Sequence, residues 1–184
     1  MACRPFAAWT QAGRPARLWT CERPWDWAAL LAKLATDDEQ ELSVRMLADA
    51  FRELPRQEQP AAVQAWTQSH VEYVNDRPPA ELAGVLEKMA VAWPGEPFER
   101  FQAPAATIAR GKGDCDDSSR VVRATLRALG WPARLVFMGD REGPSHVCAA
   151  IPTRAGWFWL DASLPALPGE HPATARKRTL WTAP

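Results

Sequence analysis

The stretch Gly111-Lys-Gly-Asp-Cys115-Asp-Asp-Ser-Ser119 places a cysteine in the first turn of a predicted helix. Asp114 is a natural N-cap, and Asp117 adds a carboxylate to the first turn, where the helix dipole favours negative charge. Apolar residues follow at helical spacing until Gly130, a residue type that commonly ends helices. The sequence therefore predicts a helix that begins at Cys115 and ends just before this glycine.

A cysteine at a helix start is in a position that favours its reactive form. A free thiol with a pKa of about 8.5 is mostly protonated at neutral pH, and the helix N-terminus or a nearby imidazolium lowers that pKa. The backbone amides at the same helix end can receive an oxyanion. Gly111 and Gly113 would let the chain turn sharply and leave room for a substrate carbonyl. Cys115 is therefore a candidate nucleophile.

Downstream residues supply a candidate base and its partner. The loop 153–156 has the length of a hairpin turn, and it puts His146 and Asp161 at nearly equal distances from that turn. We expect the two residues to be near neighbours across the hairpin, with one ring nitrogen bonded to the carboxylate and the other facing Cys115. Trp157 and Trp159 share the strand face of Asp161 and would shield the pair from water. The predicted strands are Ala133–Met138, Ser145–Ile151 and Trp157–Asp161.

Other interpretations of these residues remain open. A single helix cysteine or strand histidine is usually structural, so only the joint pattern of these residues indicates catalysis. Asp116 and Asp117 could instead bind a metal together with His146 and Cys148. Since the sequence offers no second histidine at ligand spacing, we expect neither a metal nor a cofactor, and we interpret the acidic pair as helix-start charge.

The N-terminal half predicts helices. Residues 1–24 are rich in Arg, Pro and Trp without periodicity and predict an irregular arm, followed by a short helix at 25–34. Further helices are predicted at 39–54, from Pro60 to Asn75, and at 80–92, with a loop or extended segment at 93–104. The helix at 39–54 has its apolar residues at helical spacing: Leu42, Met46, Leu47, Ala50 and Leu54.

Together these patterns predict an α+β fold in which N-terminal helices precede a central, cysteine-bearing helix packed on an antiparallel sheet. The predicted organisation is an arm with a short helix at 1–38, a catalytic domain at 39–165 and a C-terminal tail at 166–184.

Bulk composition excludes several classes. The chain has 184 residues and a formal net charge of zero, so it lacks the basic footprint of a nucleic-acid-binding protein. No apolar run approaches the roughly 20 residues that span a bilayer, and no apolar leader supports secretion. The cysteines Cys3, Cys21, Cys115 and Cys148 show neither CxxC spacing nor a disulfide framework. We therefore expect a cytoplasmic location with free thiols.

At these residues the chain resembles the transglutaminase-like superfamily of papain-type thiol enzymes. The matching motifs are Gly113-Asp-Cys-Asp-Asp117, Leu129-Gly-Trp-Pro-Ala-Arg134, Ser145-His-Val147 and Gly156-Trp-Phe-Trp-Leu-Asp161. The upstream segments Val71-Glu-Tyr-Val-Asn-Asp76 and Phe101-Gln-Ala-Pro104 are similar to those of small bacterial and bacteriophage members. The resemblance covers roughly residues 40–165.

The resemblance implies that Cys115 is the nucleophile, His146 the general base and acid, and Asp161 its orienter, in acyl transfer from a peptide or protein amide through a thioester. It also implies a side-chain donor to the oxyanion. Gln102 is the first candidate, Trp93 the second, and Asp114 a further candidate for the oxyanion or substrate site. Where the superfamily often has a bulky aromatic residue, this chain has Cys148, as a small filler or a resolving thiol.

The resemblance also suggests a setting and an alternative. A bacteriophage-type member would act in a bacterial host or in a virion, with phage structural proteins as possible partners. Hydrolysis is favoured over cross-linking. The alternative is a structural or assembly component of a phage particle that keeps the fold with or without catalysis. A tryptophan-rich binding module, with Trp19, Trp25 and Trp27 as docking residues, has only composition in its favour.

Overall fold

The helix that begins at Cys115 is the centre of the architecture. The computed structural model describes residues 3–11, 14–21, 26–76, 101–140, 143–172 and 179–183. The helices are α1 (Asp26–Leu34), α2 (Leu42–Phe51), α3 (Gln59–His70), α4 (Pro104–Arg110) and α5 (Cys115–Ala128). The strands are β1 (Cys3–Gln11), β2 (Arg14–Cys21), β3 (Glu72–Tyr73), β4 (Lys112–Gly113), β5 (Arg134–Asp140), β6 (Gly143–Thr153), β7 (Gly156–Leu160) and β8 (Thr179–Ala183).

Helix α5 begins and ends where its sequence signals predict. Asp114 occupies the N-cap with extended backbone angles. At the other end Gly130 has a φ of +81°, its N–H donates to the Arg127 carbonyl, and the Trp131 N–H donates to the Leu126 carbonyl, both at 2.9 Å. This pair of bonds is the Schellman arrangement, which satisfies carbonyls that the helix end leaves unpaired.

Helix α5 packs on a four-stranded antiparallel sheet in the order β7-β6-β5-β8. Val122 and Leu126 of α5 join Ala149 and Ile151 of β6 and Leu160 of β7 in one buried cluster. The intervening residues of β6 belong to the other face of the sheet, since side chains alternate along a strand. That face buries Val136, Met138, Cys148, Ala150 and Trp159. The α+β class predicted from the sequence is confirmed.

Both ends of the chain contain strands that the sequence patterns do not predict. The segment expected to be an irregular arm forms the antiparallel hairpin β1–β2, so that prediction is wrong. The segment 166–184, expected as a tail outside the catalytic domain, contributes β8 as an edge strand beside β5. The short helix predicted at 25–34 is present as α1.

Helix α2 buries a different face from the one its large apolar residues suggested. Val44 and Ala48 are fully buried, whereas Leu42 and Met46 are 72% and 66% exposed. Ala48 lies in the same cluster as Val122 and Leu126 of α5. A small side chain lets two helices approach closely, which explains why α5 packs on this face.

Helix α3 ends at His70, before the predicted Asn75, because the chain there becomes extended. Strand β3 pairs in parallel with β4, the strand that leads into Asp114. The Glu72 N–H donates to the Gly111 carbonyl at 2.8 Å, and the Val74 N–H donates to the Gly113 carbonyl at 3.0 Å. The helix predicted at 80–92 and the residue Trp93 lie outside the described residues. Within the described part of the chain, no helix is long and apolar enough to cross a bilayer.

Candidate active site

Cys115 is the first residue of α5 and is half-buried. Its side chain packs against an apolar cluster that includes Phe137 and Val147. Ser119, one turn further along, has its Oγ 2.5 Å from the Cys115 carbonyl oxygen and 2.9 Å from the Val147 carbonyl oxygen. The first turn of α5 is thus attached to β6 at the residue next to His146.

His146 and Asp161 form a direct pair. The Nε2 atom of His146 lies 2.6 Å from Oδ2 of Asp161, and the two residues are only 8% and 1% exposed. The two residues are therefore neighbours, as predicted. Nδ1 is the ring nitrogen that does not make this contact. A buried imidazole held through Nε2 has a fixed orientation.

The other carboxylate oxygen of Asp161 is held by its own loop. Oδ1 accepts hydrogen bonds from the Ser163 N–H at 3.0 Å, the Ser163 hydroxyl at 2.8 Å and the Leu164 N–H at 3.2 Å. Burial alone would raise the pKa of Asp161, but the hydrogen bond and charge of His146 and the two bonds from Ser163 hold it below its ordinary value. Asp161 is therefore kept as a carboxylate. Ser163 belongs to none of the predicted site motifs, although a serine two residues after an aspartate is a common turn signal.

Cys148 lies fully buried on the same strand face as His146, two residues further along β6. Burial raises the pKa of its thiol well above the ordinary value, and the negative charges of Asp161 and of the Cys115 thiolate raise it further. The two cysteines and the aspartate are therefore close enough to interact electrostatically. Trp157 and Trp159 pack in the same cluster as Cys148, on the face where the sequence placed them.

Gln102 does not have the free amide that an oxyanion donor needs. Its Nε2 group donates to Oδ2 of Asp117 and to the Lys112 carbonyl at 3.2 Å, and its backbone N–H donates to Oδ1 of Asp117 at 2.8 Å. Its Oε1 accepts from Arg110 at 2.6 Å. Both amide hydrogens of Gln102 thus bond to protein acceptors in this structure, which argues against the predicted oxyanion role.

Asp117 is a buried acceptor rather than an exposed helix-start charge. It is 0% exposed, and burial, together with the charge of Asp114, raises its pKa from 3.8 to about 6 in spite of the hydrogen bonds from Gln102. A Cβ atom on Gly113 would lie 2.6 Å from the Asp117 Cβ. Gly113 is therefore required by the close approach of Asp117, in addition to any room it leaves for a substrate.

Three carboxylates surround the cysteine in sequence and gather in space. One oxygen each of Asp114, Asp116 and Asp117 lie within 4.8 Å of one another, and all three residues are buried. Oδ1 of Asp114 has no hydrogen-bond partner among the described residues. Carboxylate oxygens are the ligands that Ca²⁺ and Mg²⁺ prefer, so this group could hold a hard cation. It differs from the metal-binding set that the sequence suggested, since it contains neither His146 nor Cys148.

The comparisons with known proteins give this arrangement its class. The family model of the transglutaminase-like superfamily matches residues 45–162, more than half of the chain. The protein therefore belongs to the transglutaminase-like superfamily. No curated protein sequence matches the chain at a significant level.

Several solved structures are similar to this chain at low sequence identity. LapG of Legionella pneumophila is 19% identical over 84% of this chain and 80% of its own, with a TM-score of 0.49. A proposed cysteine protease of Cytophaga hutchinsonii is 16% identical over 86% and 48%, with a TM-score of 0.41. A proposed protease of Parabacteroides distasonis is 14% identical over 84% of this chain and 30% of its own, with a TM-score of 0.50. At 14% identity the likeness to the last of these, with its TM-score of 0.50, concerns the fold alone.

Proposed function

We propose that this protein is a thiol-dependent hydrolase that acts on peptide or protein amide bonds, with Cys115 as nucleophile, His146 as general base and acid, and Asp161 as orienter. The observation that carries the proposal is the buried 2.6 Å contact between His146 Nε2 and Asp161 Oδ2, on the strand to which the first turn of α5 is attached. The Cys115 thiol at that helix start supplies the third group.

The proposed reaction has two halves. The Cys115 thiol gives its proton to Nδ1 of His146, and the thiolate attacks the amide carbonyl carbon. When the tetrahedral intermediate collapses, the C–N bond breaks, His146 returns the proton to the leaving amine, and a thioester remains on Cys115. Water then attacks the thioester carbonyl while His146 takes one of its protons. The C–S bond breaks, and the carboxylic acid leaves as the Cys115 thiol is restored.

Backbone amides at the start of α5 are our candidates for the oxyanion site. The first N–H groups of a helix have no intrahelical acceptor and carry the positive end of the helix dipole. They lie beside the Cys115 side chain because this residue is the first of the helix. With the Gln102 amide engaged by Asp117, these groups form the simplest oxyanion site that the described residues can build.

The biological setting is proposed from the sequence resemblance alone. The bacteriophage-type resemblance rests on the segments Val71–Asp76 and Phe101–Pro104, and from it we propose that the protein acts in the cytoplasm of a bacterial host or in a virion. Tail or capsid genes beside its own would support that setting, and with it the alternative role in particle assembly. Neighbouring genes of unrelated metabolism would contradict both.

Selective alkylation tests the proposed nucleophile. The folded protein is treated with iodoacetamide at near-neutral pH, and the labelled cysteines are mapped by mass spectrometry. An activated Cys115 reacts at least about tenfold faster than the other thiols, because only the thiolate attacks. Equal or absent labelling of Cys115 would refute the proposal.

Activity assays then separate hydrolysis from cross-linking. Unfolded protein substrates are incubated with the wild type, and new amino termini, released ammonia and incorporation of a primary amine are measured. The proposal expects new amino termini or ammonia without amine incorporation. The Cys115→Ala variant is the matched control, which should fold normally and lose the activity.

A further inference from the structure

Two glutamines of α3 reach across to the residue that orients His146. We propose that Gln64 and Gln68 are positioning residues that hold the backbone of Asp161, and through it the imidazole of His146, in the geometry needed for catalysis. This inference rests on the proposed function and adds residues that no motif of the thiol site contains.

The contacts converge on one carbonyl. Nε2 of Gln64 donates to the Asp161 carbonyl at 3.0 Å and to the Ala166 carbonyl at 2.7 Å. Nε2 of Gln68 lies within bonding distance of the Asp161 carbonyl at 3.1 Å, the Leu164 carbonyl at 2.9 Å and the Ala166 carbonyl at 3.0 Å. Because every one of these acceptors is a carbonyl oxygen, the amides must point their NH₂ groups at the loop.

The position of Asp161 explains why it needs such support. Strand β7 ends at Leu160, so Asp161 is the first residue beyond the hydrogen-bonded strand. Its side chain is fixed by Ser163 and Leu164, but these residues belong to the same short loop and move with it. The glutamines join that loop to a helix 93 or more residues away in sequence. A positioned catalytic group needs such an outer set of bonds.

The chemistry of the helix face argues against a purely structural role. Gln64 is 0% exposed, and its Oε1 finds no hydrogen-bond partner among the described residues. Burying an amide costs free energy unless its groups are bonded, so an apolar side chain would serve the core better. The two glutamines are four residues apart and therefore share one helix face. What both contribute is their donors to residues 161–166.

The experiment removes the donors and keeps the side-chain length. In the full chain, Gln64→Met and Gln68→Met are combined, and the rate of Cys115 alkylation by iodoacetamide is measured across pH. We expect the rate near about pH 6 to fall about tenfold, since a loosened Asp161 stabilises the imidazolium that assists thiolate formation less well. At about pH 10, where solvent alone ionises the thiol, the rates should agree within about twofold.

Gln59→Met is the matched control. Gln59 is a buried glutamine of the same helix, but its Nε2 lies within bonding distance of the Arg52 and Leu54 carbonyls and its Oε1 accepts from Trp131, away from Asp161. Its alkylation profile should equal that of the wild type.

Three results distinguish the outcomes. A double variant whose pH profile overlays that of the control would overturn the positioning role while leaving the nucleophile intact. A wild type without enhanced reactivity near about pH 6 would instead refute the proposed function itself. If the double variant fails to fold, the single variant Gln68→Met, at a half-buried position, is measured instead. Its rate of Cys115 alkylation should fall about threefold near about pH 6 and should not change at about pH 10.

Discussion

Asp161 reaches His146 diagonally across the β6–β7 pair. The register places Ala149 opposite Leu160, so one further step along the strands puts Cys148, rather than His146, opposite Asp161. The 2.6 Å contact between Nε2 and Oδ2 therefore spans two positions along β6. A diagonal pair of this kind depends on the direction of the carboxylate, which Ser163 and Leu164 fix through Oδ1.

The first prediction concerns that carboxylate. Asp161→Asn keeps the size of the side chain but loses the charge that stabilises an imidazolium, and it can present an N–H to Nε2. We expect Cys115 alkylation at about pH 6 to fall by about ten- to a hundredfold. Ser163→Ala is the control, because it removes one of three bonds to Oδ1 and leaves Oδ2 on His146. Equal effects of the two variants would show that the loop matters and the carboxylate charge does not.

The central helix and the three strands after it could be predicted because their signals are local. Asp114 and Gly130 mark the helix ends, and the loop 153–156 sets the register that brings the two predicted partners near each other. The fourth strand could not be predicted, since β8 follows a stretch with weak alternation and depends on pairing with a distant β5.

The failures at the site have a different physical cause. Bonds from Gln102 to Asp117, and from α3 to Asp161, join residues 15 to 97 positions apart, and no spacing rule encodes them. Burial also changes the role of an aspartate from the one its sequence position predicts. Asp117 has the sequence position of a helix-start charge, but its surroundings make it a buried acceptor.

The second prediction assigns Cys148 the role of a small filler. Its burial and raised thiol pKa keep it from reacting, so iodoacetamide should leave it unlabelled in the folded protein and label it after unfolding in urea. Cys148→Ala should cost about 1 kcal/mol of unfolding free energy without lowering Cys115 alkylation. If oxidation joined Cys148 to Cys115 in the folded wild type, the resolving-thiol interpretation would stand instead.

The third prediction concerns the close approach of Gly113 and Asp117. Alanine at position 113 places a Cβ 2.6 Å from the Asp117 Cβ, on the helix that carries Cys115. Since that atom cannot rotate away, we expect a loss of about 1–3 kcal/mol and a displaced helix start with slower Cys115 alkylation. Gly156→Ala is the comparison, because no described residue lies within 4 Å of the position of its Cβ, and its φ of +122° is the feature that resists substitution. It should lower stability without slowing alkylation.

The fourth prediction concerns the buried ion pair of Arg120 and Asp38. Both carboxylate oxygens of Asp38 accept from the guanidinium, at 2.7 and 2.8 Å, and the two side chains are 4% exposed. Asp38→Ala leaves a buried cation and should cost about 3–5 kcal/mol in urea unfolding. The double variant with Arg120→Met should cost less than the sum of the single changes.

The exposed pair of Arg52 and Asp49 provides the control for that ion pair. Its side chains are 56% and 67% exposed, so Asp49→Ala should change stability by less than about 1 kcal/mol. Comparable losses at the two sites would contradict the argument from burial.

The fifth prediction concerns the pH dependence of stability. Asp117 has a folded-state pKa of about 6, above its ordinary 3.8, so the folded protein binds this proton more tightly than the unfolded chain does. Its contribution to stability is therefore complete below about pH 4 and is lost as the pH rises through about 6. The two-unit difference corresponds to about 3 kcal/mol at most. Asp117→Asn removes this dependence. As the pH rises across that interval, the unfolding free energy of the wild type should therefore fall relative to that of the variant.

Asp161 contributes with the opposite sign and in a different interval. Its folded-state pKa lies below the ordinary value, so its stabilisation is present above about pH 4 and is lost only as the pH falls through that lowered value. The interval between about pH 4 and 6 therefore isolates Asp117 from Asp161. Urea unfolding of wild type and Asp117→Asn across this interval measures the contribution of Asp117, and the same comparison with Asp161→Asn below about pH 4 measures that of Asp161. If the wild type gained stability relative to Asp117→Asn as the pH rose, the carboxylate would have to be ionised at its buried position, and the hydrogen bonds from Gln102 would then outweigh desolvation.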